Sequence, residues 1–183
     1  GLETVPSFHP DLVLGVATYA RELFASAWEL DAVYVPVGMG SGICGLIGVR
    51  DLLGLRTEIV GVVAKNAPAY ALSVAAGHVV TTESAATFVD GVAARSPDAE
   101  AIAIISSGAA RIVTVSEDAA ADAMRRLFVA THNVAEPAGA LALAGLLAER
   151  EAAQGKRVAV IQSGGNVDAA VLTKVLSGKT PAA

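Results

Sequence analysis

Apolar residues recur along the chain with two different periods. Leu12, Val16, Tyr19, Leu23, Ala27 and Leu30 return at helical spacing, and Ser7-Phe8-His9-Pro10 ahead of them reads as a helix start, with proline in the first turn where its missing N–H costs nothing. Val33 to Val37 is instead β-branched and aromatic without interruption, and a buried strand is expected from Ala32 to Val37. A glycine-rich stretch follows. An apolar helix from Gly42 to Leu53, closing at Gly54, then leads to a second strand from Thr57 to Val63. Strand, helix and strand in so short a span read as a βαβ crossover, hence parallel strands.

Beyond Val63 the pattern predicts a short apolar helix from Asn66-Ala-Pro68 to about Ala76, then a turn and short extended segment over Gly77 to Thr82. Thr87 to Val92 carries a loop at Asp90-Gly91, Ala99 to Ser107 a helix stopped by Gly108, and Arg111 to Val115 a strand. Ser116 is an N-cap before Glu117 and Asp118, and the helix it opens runs to about Thr131 with Arg125 and Arg126 near its negative end. Pro137 opens a helix from Ala138 to Arg150 that is apolar around most of its circumference and therefore buried. Arg157 to Gln162 is the last strand, entering Ser163-Gly-Gly-Asn166, a second strand-glycine-helix junction, and the tail from Ser177 is expected to be disordered. The whole reads as one α/β domain over residues 1–178 with a tail at 179–183, a doubly wound, mostly parallel sheet flanked by helices.

Composition narrows this picture. Apolar residues make up 54% of 183 and aromatics only 4%, which suits the aliphatic core of a parallel sheet covered on both faces. A net charge of −5, with 13 basic residues scattered along the chain, leaves no basic patch for nucleic acid. The uncharged run from Ala32 to Val49 approaches the length of a membrane span, but Pro36 and five glycines inside it argue against one. The single cysteine, Cys44, excludes an intrachain disulfide, and Gly-Leu-Glu-Thr-Val-Pro at the start has neither the basic residues nor the apolar stretch of a signal peptide; a soluble, cytoplasmic protein is expected. An opening on Gly1 rather than methionine reads as processing or a fragment.

The candidate chemistry lies in the glycines after the first strand, Gly38-Met-Gly40-Ser41-Gly42-Ile-Cys-Gly45. Successive free N–H groups at the opening of a helix, on its positive dipole end, make an anion site without any basic side chain. The same run fits a dinucleotide fingerprint, which predicts an acid at the end of the next strand; that strand runs out through Val63-Ala64-Lys65, and its only acid, Glu58, stands at the wrong end. A phosphate monoester fits better. His9, His78 and His132 show no ligand spacing, and no metal site is expected.

Taken together, Pro36-Val-Gly-Met-Gly-Ser-Gly-Ile-Cys-Gly45, Thr87-Phe-Val-Asp-Gly-Val92, Glu136-Pro-Ala-Gly-Ala140 and Ser163-Gly-Gly-Asn166 resemble, in order and spacing, the threonine/serine dehydratase family of pyridoxal-phosphate enzymes. The resemblance covers nearly the whole chain, and the form of the glycine loop is similar to the threonine dehydratase or hydroxyectoine-utilisation dehydratase branch. It implies the later large-domain portion of a fold-type-II enzyme, tryptophan-synthase-β-like. It also implies that Gly38, Met39, Gly40, Ser41 and Gly42 bind the phosphate of pyridoxal 5'-phosphate, that Ser163 faces the pyridine nitrogen, that Asp90 and Gly91 pass near the phenolic side of the ring, and that Glu136 lies near the pocket. Two of these residues have plainer readings: Ser163 as the cap of the final helix, and Glu136 as an acid at a helix N-terminus.

The departures from the family matter as much. Its lysine in a Ser-x-Lys-x-Arg-Gly setting and its Asn-containing loop for the substrate carboxylate are both missing; Lys65, Lys156, Lys174 and Lys179 lack that context, so no catalytic residue is assigned. The acidic positions that hold a metal in some relatives fall here on Val63 and Ala69. The resemblance therefore implies a dehydratase acting on a hydroxy amino acid, present as a portion that binds cofactor without completing the chemistry. Two alternatives stand beside it: a non-catalytic module for a phosphate ligand or a partner, and a dinucleotide oxidoreductase domain. Partners are expected to be a small amino-acid substrate and either further copies of the chain or a missing N-terminal segment, with no nucleic acid and no membrane.

Overall fold

The computed structural model describes residues 5–27 and 29–183; the start of the chain, including most of the stretch read for a signal peptide, lies outside them. Helices α1 (Pro10–Ser26), α2 (Ser41–Leu52), α3 (Ala69–Ala76), α4 (Ala99–Gly108), α5 (Glu117–Thr131), α6 (Pro137–Ala148) and α7 (Ala169–Leu176) surround strands β1 (Ala32–Pro36), β2 (Glu58–Ala64), β3 (Arg111–Val115) and β4 (Val158–Val160). The sheet is parallel throughout, in the order β3-β2-β1-β4.

The apolar run of each central strand feeds both faces of the sheet, because successive side chains point to opposite sides. Val33, Val35, Ile59 and Val63 pack with Phe24 of α1, Ile43 and Leu46 of α2, and Ile102 and Ile105 of α4. Tyr34, Val60 and Val62 pack on the other face with Met124 of α5 and with Leu141 and Ala144 of α6. α6 is as buried as its composition predicts, and it lies close on the sheet: a Cβ at Gly145 would stand 2.5 Å from Val62 Cγ2. Burying each large aliphatic side chain contributes roughly 1.5–3 kcal/mol, and the division into two cores makes the sheet the common wall of both.

Several local expectations shift. α1 ends at Ser26, short of Leu30. Gly108 is the last residue of α4 rather than a stop signal beyond it; its missing side chain admits Ile47 of α2, whose Cγ2 would lie 2.2 Å from an added Cβ. Arg125 and Arg126 do not serve the end of α5, whose last turn has no basic residue; both reach back to Asp122, since spacings of three and four residues place them on its side of the helix. β4 is only three residues long, and no strand forms over Gly77 to Thr82. The tail folds back instead of being disordered: Pro181 is buried and the Thr180 hydroxyl donates to the Asp118 carboxylate.

The strand order places two glycine-rich junctions side by side. From β1 the chain steps outward to β2 and β3 and then returns to place β4 on the opposite side of β1. The connections after β1 and β4 therefore diverge above the carboxyl edge of neighbouring strands, which is where open α/β sheets form a ligand crevice.

Candidate functional site

The crevice is built on the end of β1. After Pro36, Gly38 runs against the 90–92 segment so closely that a Cβ on Gly38 would meet Gly91 O at 2.5 Å. Gly40 then turns the chain into α2 at φ +100°, a conformation that favours glycine, and occupies the N-cap position without a side chain to cap the helix. Among the described residues, the N–H groups of residues 39–43 have no hydrogen-bond acceptor. The neighbouring carbonyls, by contrast, are engaged: Met39 O accepts from the Tyr70 hydroxyl at 2.6 Å, Gly40 O from Cys44 N–H at 3.0 Å, and Gly42 O from the Tyr19 hydroxyl at 2.8 Å. A segment with its oxygens satisfied and its N–H groups open is an anion cradle, reinforced by the positive end of the α2 dipole.

These residues line a cavity of about 440 Å³, within the size range of small-molecule sites. Gly38, Met39, Gly40, Ser41, Gly42, Gly91, Glu136 and Ser163, the residues singled out from the sequence, all lie on its wall. Val35, Val92, Ala138 and Ile161 supply apolar surface between them. Asp90 is not on this wall; its carboxylate accepts from Gly91 N–H at 2.9 Å and shapes the turn.

Glu136 and Ser163 are clarified by their neighbours. Glu136 occupies the N-cap position of α6, but its carboxylate makes no capping bond. It accepts instead from Asn166 N–H at 3.1 Å, while its own N–H donates to Gly164 O at 3.1 Å. An added Cβ on Gly164 would stand 2.6 Å from Glu136 Oε1, so the glycine lets the carboxylate tie the two loops together. Ser163 does not cap the final helix, since Asp168 holds the N-cap position of α7. Its side chain is exposed and has no hydrogen-bond partner among the described residues, which leaves the hydroxyl available to a ligand.

The donor set fits a phosphate monoester carried on a flat ring: one wall carries free backbone N–H groups, apolar side chains and a neutral hydroxyl. No lysine lies on the wall, and Lys65, exposed after β2, is not among the lining residues either. Tyr19, Tyr70 and Gln162 are the contributors that sequence reading missed. Tyr19 showed only as one apolar beat of a helix, and nothing local connects Tyr70 to Met39 across the intervening strand. Burial pushes the Tyr19 phenol upward, and it pushes Tyr70 up to about 12 and the Cys44 thiol, buried near Asp98 and Glu100, to about 12, so all three are neutral near pH 7.

Comparison with known proteins agrees with this fold. A family model described as pyridoxal-phosphate dependent enzyme matches residues 2–164. The chain is 35% identical over 172 residues to the biosynthetic L-threonine dehydratase of Salmonella typhimurium, covering 92% of this chain and 33% of that one. It is 32% identical over 180 residues to the L-threo-3-hydroxyaspartate ammonia-lyase of Saccharomyces cerevisiae, covering 98% and 55%. The processed form of threonine deaminase isoform 2 from Solanum lycopersicum superposes with a TM-score of 0.91 at 31% identity, over 97% of this chain and 50% of that structure. The chain thus spans from a third to about half the length of these relatives.

Proposed function

The chain belongs to the pyridoxal-phosphate dependent enzyme family, and from that premise we propose that it forms the cofactor-holding portion of an ammonia-lyase acting on a hydroxy amino acid of the threonine or serine type, with a 2-oxo acid and ammonia as products. The dehydratase and ammonia-lyase relatives carry that activity in their names. The single observation that supports it within this chain is the gathering of all eight candidate residues around one cavity with the chemistry of a phosphate-and-ring site.

When bound, the cofactor supplies the electron sink that lets an amino acid lose its α-proton and then its β-hydroxyl. The chain's own residues hold and orient. Residues 38–42 would hold the phosphate on backbone N–H groups, and Val35, Val92, Ala138 and Ile161 would offer the ring an apolar surface. Ser163, a neutral hydroxyl on the same wall, would leave the ring nitrogen less firmly protonated than a carboxylate would, which suits elimination. Glu136 keeps the 163–166 loop in place beside the 90–92 turn.

With no lysine on the cavity wall, this portion binds the cofactor without bonding it covalently, and the remainder of the catalytic machinery comes from outside the 183 residues. The missing part is either a preceding segment of the same enzyme or another chain, and the open edges of the sheet at β3 and β4 favour association. The buried free thiol of Cys44 suits a reducing cytoplasm, and no helix among the described residues is long and apolar enough to cross a membrane. The absence of a lysine from the wall also favours a second reading, a non-catalytic module that binds a phosphate ligand. The family match leaves the dinucleotide reading without support.

Titrating the purified chain with pyridoxal phosphate, then reducing with borohydride and mapping peptides by mass, separates these readings. Saturable binding without a specific lysine adduct is expected. A single adduct on Lys65 or another lysine would return full covalent chemistry to this chain, and absence of binding would leave the glycine loop as a folding element.

A further inference from the structure

The Met39–Gly40 peptide is held in one of two orientations open to it. Gly40 sits at φ +100° and ψ −10°, and because glycine enters positive and negative φ with similar ease, half a turn of the preceding peptide plane costs the backbone little by itself. Something else has to choose between them. The Met39 carbonyl accepts from the Tyr70 hydroxyl at 2.6 Å, and the same hydroxyl accepts from Asp98 N–H at 3.3 Å. Asp98 is itself fixed as the N-cap of α4, its side chain accepting from Glu100 and Ala101 N–H at 2.9 and 3.1 Å.

In a trans peptide the carbonyl and the following N–H point in opposite directions. Tyr70 is 1% exposed and lies off the cavity wall, whereas Gly40 lies on it. With the Met39 oxygen drawn to Tyr70, the Gly40 N–H is turned away from that buried ring. We propose that Tyr70 is a positioning residue, a latch whose hydroxyl holds the Met39–Gly40 peptide so that the Gly40 N–H is presented to an anionic phosphate rather than the Met39 oxygen. This rests on the reading of the cavity as a phosphate site. The flipped peptide would put a carbonyl dipole against the anion, converting one donor into a repulsive contact. Because burial keeps the phenol protonated to about 12, the latch is present throughout the neutral range.

The inference is tested on the purified chain with ligands that carry no aldehyde: pyridoxine 5'-phosphate, pyridoxine and inorganic phosphate, for the parent chain and Tyr70→Phe. The substitution keeps the ring and removes only the donor. Affinity for pyridoxine 5'-phosphate and for inorganic phosphate is expected to fall about tenfold, the scale of one charge-assisted hydrogen bond, with affinity for pyridoxine unchanged. Equal losses for the phosphorylated and unphosphorylated ligands would make Tyr70 a general packing residue and overturn the latch. Unchanged affinity in a folded Tyr70→Phe chain would overturn it too while leaving the cofactor reading intact; failure of the parent chain to bind either phosphate ligand would remove both. If Tyr70→Phe does not fold, the parent chain answers by amide NMR. Inorganic phosphate should shift the Gly40 amide proton together with those of Ser41 and Gly42, and a Gly40 signal that stays still while its neighbours move would sink the inference.

Discussion

Gly38 and Gly42 stand four residues apart in one loop, yet the space around them differs completely. A Cβ on Gly38 would lie 2.5 Å from a backbone oxygen, Gly91 O, which no side-chain rotation can relieve, whereas one on Gly42 would find nothing within 4 Å. Gly38→Ala is expected to lower stability by roughly 1–3 kcal/mol, as overpacking does, because the 38–42 and 90–92 segments must part. Gly42→Ala, in the first turn of α2, is expected to keep or slightly raise stability by up to about 1 kcal/mol, yet to weaken pyridoxal phosphate binding by placing a methyl group on the cavity wall. Urea unfolding and ligand titration of the two variants check the pair; equal stability losses would show that the two glycines serve the same purpose. The density of glycine was visible in the sequence and pointed to a close approach of backbone. Which glycine is packed against protein and which has open space beside it was not, because the answer depends on a distant segment, residues 90–92, much further along the chain.

Elements are joined at the other edge of the sheet by a polar cluster remote from the site. Arg111, at the start of β3, donates to Glu149 after α6 at 2.7 Å and to Glu58 at the start of β2 at 2.9 Å, and the Tyr34 hydroxyl of β1 donates to Glu149 at 2.8 Å. The Arg111 hydrogen bonds hold the Glu149 carboxyl below the usual carboxylate range, with burial opposing them. Its folded value is therefore the depressed one. The stabilisation is fully present above the ordinary glutamate value of about 4.3, and it is lost as pH falls through the depressed value. The urea midpoint of the parent chain is expected to decline over that window, and Glu149→Gln to flatten the decline while lowering stability at pH 7; an identical acid profile for the variant would assign the acid sensitivity elsewhere. The sequence placed α6 and β3 correctly but carried no sign of this cluster, since its members come from four separate elements. A charge pair four residues apart, such as Asp122 with Arg126, is legible from helical spacing alone.

At the scale of the molecule, a parallel sheet ends in two open edges, β3 and β4, and β4 is three half-buried residues long. Leu14 and Leu52, on the outer faces of α1 and α2, are 74% and 85% exposed. Such a body, spanning 33% to 55% of the length of its relatives, is expected to associate when purified alone. Light scattering should give a mass above the 18.4 kDa of one chain at high concentration; a monodisperse monomer would show that the edges are self-sufficient. Helically spaced and continuous apolar runs, β-branched strands and helix-opening prolines determined by themselves that this is a parallel α/β sheet, and glycine spacing marked the candidate anion loop, because both are local properties of backbone and side-chain type. Strand order was decided only in three dimensions. By returning β4 to the far side of β1, it brought Ser163 and Glu136 onto the same cavity wall as the 38–42 loop. Tertiary packing likewise decided that Ser163 stands apart from the start of α7, whose N-cap position falls on Asp168, and that Tyr70 meets Met39. Hydrogen bonds between residues distant in sequence depend on which elements become neighbours, and no spacing along the chain encodes that.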